Sequence, residues 1–186
     1  AATKGVAQVL AQAKVPTTHE DVLQCLLAAL DAVLPQIEAA ASKIERVVIS
    51  STIVTNALTE NKLDPVFLAV ITGPGMNIKG HVPVTPYYLT GYVDHRGKIT
   101  AQIDWTKHRD LLNKKGSGVC AVSGKFAVRE PRLEYQAEHE LTKCGYKKVF
   151  LGSELSGELN FVRRTNSAYF AAQVYTLFAK FSQRIV

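Results

Sequence analysis

Two hydrophobic patterns alternate along this 186-residue chain: short unbroken apolar runs and stretches with helical spacing. The unbroken runs predict buried strands, because a strand covered on both faces has no polar side to expose. The helical spacing predicts amphipathic helices. The predicted strands are 46–49, 65–72, 118–123 and 149–151, and the predicted helices are 20–34, 53–61, 131–143 and a last one that starts after 165–166. Strand and helix in alternation indicate an α/β fold.

Three further stretches have weaker patterns. Pro35 can open a short helix through Ala41, as a first-turn proline does, and a helix is predicted over about 105–114. Apolar residues at 6, 9, 10 and 13 have helical spacing.

The composition and the hydrophobic pattern change between residues 73 and 106, where Gly, Pro and Tyr are frequent and no helical period is present. Short strand pieces are predicted at 87–89 and 91–94, followed by a turn at 94–97. Residues 98–104 alternate polar and apolar side chains, which is typical of a half-buried strand. We therefore predict a β-rich insertion with a hairpin over 73–106.

Composition excludes several classes of protein. With 47% hydrophobic and 20% charged residues, the chain is an ordinary globular protein. No apolar run approaches the roughly 20 residues that a membrane-spanning helix needs. The three cysteines are widely separated and form no disulfide framework, so a cytoplasmic location is expected. The net charge of +6 comes from 22 basic and 16 acidic residues in short separate clusters without interleaved aromatics, so nucleic-acid binding ranks last.

The leading site candidates follow the apolar run that ends at Ile49. Ser51, Thr52, Thr55 and Asn56 would lie where a strand meets a helix, a place where hydroxyl and amide groups can hold a carbonyl or a phosphate. The same residues can equally cap the helix, since Ser and Thr oxygens accept its first free N–H groups.

Two loops that begin with a glycine are further candidate binding sites. Gly73–Asn77 follows a predicted strand but lacks the pattern of a P-loop, and a turn explains it without a ligand. The loop 152–157 also follows a strand and contributes Ser153, Glu154 and Ser156, although a structural loop remains an alternative. The five histidines have no metal-ligand spacing, so no metal site is predicted, and the catalytic residues stay unassigned.

Several blocks in order resemble the amino-terminal region of the hydantoinase/oxoprolinase family, which includes hydantoinase A, 5-oxoprolinase and acetone-carboxylase-type subunits. The matching blocks are 13–18, 51–60, 73–77, 123–129 and 152–161. The resemblance implies an actin-like ATPase (ribonuclease H-like) lobe with a mixed sheet flanked by helices. It also offers the alternative that residues 6–13 are the second strand of a hairpin.

The resemblance implies an ATP-dependent enzyme that hydrolyses a cyclic amide, such as hydantoin or 5-oxoproline, or carboxylates a ketone. ATP with Mg is expected for the intact parent protein. The family's two glycine-rich phosphate segments are not found in this sequence, so the chain is expected to be a fragment that binds no cofactor and is inactive alone. Expected partners are the remainder of the polypeptide and a second hydantoinase subunit, with oligomers allowed and no nucleic acid or membrane.

A different class of function is the alternative. The last predicted helix carries an apolar face that continues to the final residues, Ile185 and Val186. That face could serve a non-catalytic interaction module, because exposed apolar patches mark partners or a missing part of a core.

Overall fold

The computed structural model describes residues 9–16, 22–48, 50, 52–60 and 63–183. The chain divides into two compact units. The first contains Ala1–Thr52 and Ala179–Val186, and the second contains Ile53–Phe178.

The described part of the first unit contains helices and irregular segments but no strand. Helix α1 (Val22–Val33) is followed by a 3-10 stretch (Leu34–Lys43) that is broken by non-helical backbone at Ile37. Residues 9–16 are in neither helix nor strand. At 9–13 the structure therefore has neither the helix that the spacing indicates nor the hairpin strand that the resemblance implies, and residues 6–8 lie outside the described residues.

The strand predicted at 46–49 is wrong for 46–48, which are in no strand, and Ile49 lies outside the described residues. Val47 and Val48 are 66% and 79% exposed. A β-branched run becomes a strand only when a neighbour takes its hydrogen bonds and its side chains are packed. Neither condition is met at 46–48 within the described part of the chain.

The second unit is built on a parallel sheet. Its order is β2-β1-β5-β6, and every pairing in it is parallel. Antiparallel pairing in the described residues is confined to a hairpin of β3 and β4. The strands are β1 (Phe67–Ile71), β2 (Tyr87–Tyr88), β3 (Tyr92–Val93), β4 (Ile99–Ala101), β5 (Val119–Gly124) and β6 (Lys148–Leu151).

The helices of this part of the chain are α2 (Ile53–Thr59), a 3-10 turn (Trp105–His108) that continues into α3 (Arg109–Leu112), α4 (Arg132–Lys143), α5 (Gly152–Leu155) and α6 (Phe161–Gln183). Helix α4 packs on one face of the sheet and α6 on the other. The prediction of strand and helix in alternation is thus confirmed across residues 65–183.

Each face of the sheet has its own core. Ala69 and Ile71 pack in one cluster with Leu133 and Leu141 of α4, whereas Leu68 and Val70 belong to a second cluster. The second cluster includes Ala168, Tyr169 and Ala172 of α6. Because successive strand residues point to opposite faces, β1 contributes side chains to both clusters, and its sequence is therefore apolar throughout.

The segment 73–106 contributes to the main sheet as well as forming a hairpin. Strand β2 pairs with β1, whereas β3 and β4 pair with each other. The turn between β3 and β4 is fixed by Asp94, whose Oδ1 accepts the backbone N–H groups of Arg96 and Lys98, both at 2.9 Å. The hairpin is present as predicted; that the segment is an insertion remains a prediction.

A buried histidine joins β2 and its following loop to the turn before α3. His108 is 4% exposed, and its Nε2 accepts the backbone N–H of Thr90 at 3.0 Å. Its Nδ1 lies 3.1 Å from the hydroxyl of Tyr87, which donates to Asp110 at 3.0 Å. Since Nε2 must be an acceptor, the neutral ring with the proton on Nδ1 fits this arrangement.

Among the described residues, no helix is both long enough and apolar enough to cross a membrane.

Candidate functional site

The loops at the carboxyl ends of β1, β5 and β6 meet at one edge of the sheet. The strands are parallel, so their ends coincide, and the backbone N–H of Lys125 after β5 donates to the carbonyl of Ile71 at 2.8 Å. In open α/β sheets this edge is where ligands bind. It carries most of the predicted loop 152–157, in which Gly152–Leu155 form the short helix α5 rather than an open loop. We call Gly152–Ser156, this helix and its C-cap, the loop Gly152–Ser156.

A buried carboxylate fixes this edge. Glu134 of α4 is 0% exposed, and its Oε1 accepts the backbone N–H of Gly124 at 2.7 Å. Its Oε2 accepts both the backbone N–H and the hydroxyl of Ser153, at 3.0 and 2.5 Å. One side chain therefore joins the end of β5 to the loop after β6.

A buried arginine closes the network from the other face. Arg164 of α6 is 1% exposed and donates to the carbonyls of Gly124 and Glu158, at 2.6 and 2.5 Å. Its Nε has no hydrogen-bond partner among the described residues. The next residue, Thr165, donates to the Phe161 carbonyl at 2.8 Å and lies 2.9 Å from the Ser123 hydroxyl. We call the set Glu134, Ser153, Gly124 and Arg164 the edge network.

Charge and burial oppose each other in the edge network. Burial raises the pKa of Glu134, and the bonds from Ser153 and Gly124 and the charge of Arg164 offset this only in part. Burial likewise lowers the pKa of Arg164 against the opposing charges of Glu134 and Glu158. Glu134 has no exposed surface for a ligand, so its role is to position the loop.

The three predicted loop residues differ in which of their polar groups are free of hydrogen bonds within the protein. Ser153 is half-buried with its amide and hydroxyl both bound to Glu134. The hydroxyl of Ser156 accepts the backbone N–H of Glu158 at 3.2 Å. Glu154 is exposed, and its carboxylate makes no hydrogen bond or ion pair within the described part of the chain. The structure brings the three residues together on one turn and presents Glu154 to solvent.

The first predicted group consists of Ser51, Thr52, Thr55 and Asn56. Ser51 is outside the described residues, and Thr52, Thr55 and Asn56 are exposed at or near the start of α2. The carbonyls of Thr55 and Asn56 accept bonds from Thr59 and Glu60, which are bonds of an ordinary helix. Between 53 and 178, where the chain is described, no hydrogen bond joins Thr55 or Asn56 to the loop Gly152–Ser156.

Sequence reasoning missed Glu134 and Arg164, although a signal existed. Glu134 has helical spacing with Ala137 and Leu141, both buried, and Arg164 has it with Phe161 and Ala168, also buried. A charged residue at a core position of an amphipathic helix must be paired or hydrogen-bonded. Such a position therefore marks a buried polar network.

The backbone is strained directly after β5. Phe126 has a φ of 61°, in the left-handed region that residues other than glycine rarely adopt. Its neighbour Lys125 is half-buried, with its Nζ 5.2 Å from the centre of the Phe126 ring. Strain of this kind is concentrated at functional sites, which favours this edge as a site.

A shallow cleft of about 380 Å³ lies next to the loop Gly73–Asn77. Its walls are uncharged, and the hydroxyl of Tyr88 is bound to the side chain of Asn77 at 2.6 Å. A triphosphate needs cationic side chains or a row of glycine N–H groups, so this cleft does not fit one. No group of three or more His, Cys, Asp or Glu residues in the described ranges could hold a metal ion. The cleft is lined by Thr72, Gly73, Pro74, Met76, Tyr88, Leu89, Thr90, Gly91, Tyr92 and Ala101.

The parallel sheet, its helices on both faces and the loops at its carboxyl edge define an α/β lobe. The family model for the hydantoinase/oxoprolinase N-terminal region matches residues 1–145. The chain therefore belongs to the hydantoinase/oxoprolinase family, as its sequence blocks predicted.

Two solved structures share the fold. Acetone carboxylase, which carboxylates acetone in an ATP-dependent reaction, superposes in its nucleotide-free form with a TM-score of 0.66 at 14% identity, over 87% of this chain and 28% of the carboxylase chain. The ATP-dependent caprolactamase from Pseudomonas jessenii superposes with a TM-score of 0.64 at 18% identity, over 97% of this chain and 31% of the caprolactamase chain. The chain thus spans less than a third of either protein. No curated protein sequence matches it significantly.

Proposed function

We propose that this chain is part of an ATP-dependent enzyme that hydrolyses a cyclic amide or carboxylates a ketone. In this proposal the loop Gly152–Ser156 contributes to its active-site region. The edge network carries the proposal: a buried carboxylate and a buried guanidinium are used to hold one exposed turn at the ligand-binding edge of the sheet. Family membership and two ATP-dependent enzymes of the same fold support the reaction class.

Within the loop, Glu154 is the residue proposed to act. The Ser153 hydroxyl donates to Glu134 and the Ser156 oxygen accepts a backbone N–H, whereas the carboxylate of Glu154 is free to accept a proton or a hydrogen bond from a bound molecule. Glu134 and Arg164 are positioning residues, since they reach a ligand only through the loop. Ser51, Thr52, Thr55 and Asn56 stay candidates for contacts of the intact enzyme.

ATP and Mg are assigned to the intact parent rather than to this chain. The uncharged cleft beside Gly73–Asn77 does not fit a triphosphate, so phosphate binding falls to the remainder of the polypeptide or to a second hydantoinase subunit. The chain by itself is therefore expected to be inactive. ATP hydrolysis by the isolated 186 residues would contradict this.

The test compares Glu154→Gln with Glu138→Gln in the intact parent enzyme. Glu138 is a half-buried carboxylate of α4 outside the edge network and serves as the matched control. ATP hydrolysis is measured with a panel of hydantoin, 5-oxoproline, caprolactam and acetone with bicarbonate. We expect Glu154→Gln to lower stimulated turnover about 100-fold while far-UV circular dichroism stays unchanged. Equal turnover in both variants would remove Glu154 from the site.

A second candidate function is protein interaction without catalysis, favoured by the outer side of α6. Phe170 and Phe178 are 40% and 54% exposed and have helical spacing with the half-buried Val174. Sedimentation and thermal unfolding distinguish the two functions. A module should be monodisperse and stable as 186 residues, whereas part of an enzyme should gain stability when flanking sequence is restored.

A further inference from the structure

Two lysine pairs that are distant in sequence meet at the amino edge of the parallel sheet. Lys114 and Lys115 precede β5, and Lys147 and Lys148 lie at the start of β6. The two segments run side by side: the N–H of Lys147 donates to the Gly118 carbonyl at 2.8 Å. We call Lys114, Lys115, Lys147 and Lys148 the amino-edge lysines.

The segments are joined a second time closer to the helices. The backbone N–H of Gly116 donates to the carbonyl of Cys144 at 2.7 Å, and the side chain of Tyr146 packs over Gly116. The lysine pairs therefore flank a short, hydrogen-bonded stretch of backbone and cannot move apart without breaking it.

The amino-edge lysines carry positive charge without ion-paired partners, although the charge of Lys114 also acts on the carboxylate of Asp110. All four are exposed, and none makes an ion pair with another residue of the described chain. Lys143, at the end of α4, already pairs with Glu140 at 2.8 Å and compensates that helix terminus. Lys147 and Lys148 lie beyond Gly145, outside any helix, so a helix dipole does not account for them.

A cleft of about 520 Å³ opens at the same edge. Phe67, Val119 and Tyr146 contribute to its lining, and Asp64 is its one charged lining residue. The rings of Phe67 and Tyr146 stack on each other with centroids 5.6 Å apart. The lysines do not line the cleft, but Ser117 and Gly118 follow Lys115 in the chain and Tyr146 precedes Lys147. The lysine pairs therefore lie next to an opening that can accept an apolar side chain.

We propose that the amino edge of the sheet is a docking surface for an acidic polypeptide segment that carries an apolar anchor residue. The anchor occupies the cleft, and carboxylates on either side of it meet the two lysine pairs. This surface lies at the opposite end of the strands from the edge network, so it is independent of the proposed active-site loop.

A polypeptide fits this surface better than a nucleic acid. Tyr146 and Phe67 are already stacked on each other, so they do not form a free platform for bases. Asp64 in the cleft disfavours negative charge at that point, which is where the peptide places its apolar anchor residue. A peptide can place its charges at the lysines and its apolar residue at the cleft.

Fluorescence anisotropy with the 186-residue chain tests this. The probes are a labelled nine-residue peptide with eight glutamates and a central phenylalanine, the same peptide with a central serine, and a single-stranded oligonucleotide of eight phosphates. The variants are Lys114→Glu/Lys115→Glu, Lys147→Glu/Lys148→Glu and the control Lys79→Glu/Lys98→Glu, which reverses two exposed lysines elsewhere. Circular dichroism confirms that each variant is folded.

We expect the phenylalanine peptide to bind more tightly than the serine peptide, and either amino-edge variant to weaken it about tenfold, with the control near the unaltered chain. Affinity should fall as salt is raised. Equal losses in all three variants would reduce the effect to net charge and overturn the proposal. Tighter binding of the oligonucleotide, or no peptide binding at 50 mM salt, would overturn it as well.

Discussion

Glu134 and Arg164 are charged residues at positions where their helices otherwise bury apolar side chains. Each is compensated by hydrogen bonds to backbone groups at the carboxyl edge, and no direct ion pair joins them. A buried charge of this kind stabilises one arrangement of the chain, because any other arrangement leaves it without partners. The edge network therefore specifies the position of the loop after β6.

Glu134→Gln should lower the free energy of unfolding by about 2–4 kcal/mol. The amide has a single acceptor oxygen, which can keep either the bond from Gly124 or the two bonds from Ser153, and its NH₂ would face a donor at the other position. Urea unfolding followed by the fluorescence of Trp105, the single tryptophan, measures the change. Glu140→Gln on the same helix, which loses a partly exposed ion pair, should cost under about 1 kcal/mol. Equal losses would show that Glu134 has no special role.

His108 should make stability depend on pH. Burial lowers its pKa below the ordinary 6.5, against the opposing charges of Asp110 and Asp104. The folded state therefore prefers the neutral ring, so its contribution is fully present above pH 6.5 and is lost as the pH falls below that value. Protonation would also remove the acceptor for the Thr90 N–H.

Urea midpoints at pH 7.5 and 5.5 check this for the unaltered chain, His108→Gln and the exposed control His95→Gln. The unaltered chain and His95→Gln should lose stability at pH 5.5, and His108→Gln should lose less. An unchanged pH dependence in His108→Gln would assign the effect to other groups.

At the scale of elements, the short helix α5 depends on one glycine. A Cβ built on Gly152 would lie 2.7 Å from the Ser123 hydroxyl, whereas one on Gly157 would meet nothing within 4 Å. Gly152→Ala should therefore destabilise the protein by about 1–3 kcal/mol, and Gly157→Ala should change it by no more than about 0.5 kcal/mol. Thermal unfolding of both variants measures this, and equal melting temperatures would contradict the close approach of α5 to β5.

Elements with an apolar pattern could be predicted from sequence, and those that depend on capping or on a partner could not. The apolar runs at 65–72 and 118–123 became β1 and β5 because α4 and α6 bury both their faces. The run at 46–48 did not, because it is unpaired and exposed among the described residues. Helix α6 begins at Phe161, before the predicted start, since Asn160 accepts the Arg163 N–H at 3.1 Å and caps it.

The candidate site was likewise predictable only in part from the sequence. The loop Gly152–Ser156 was predictable because it follows an apolar strand and resembles a family block. Its anchors were not, because Glu134 and Arg164 come from two helices and meet it only through tertiary packing. Spacing along one chain does not report which helix face approaches which strand end.

At the scale of the whole molecule, residues 53–178 should fold without the first unit. Every buried hydrophobic residue of the described chain lies between Ala57 and Ala172, and both core clusters are inside that range. The isolated segment 53–178 should give a cooperative urea transition by Trp105 fluorescence, with a midpoint close to that of the full chain. A segment without a cooperative transition would show that its core needs residues 1–52 or 179–186.

Strand β1 pairs with β5, which lies about 50 residues further along the chain, and with β2 on its other side. During synthesis the ribosome therefore releases Phe67–Ile71 well before its principal neighbour exists, and non-local pairing of this kind is slow. Until β5 emerges, a nascent chain exposes five consecutive apolar residues with a free strand edge. Chains that stall before Gly124 should consequently aggregate or be held by chaperones, whereas chains that have released α6 can pair β1 and bury both of its faces.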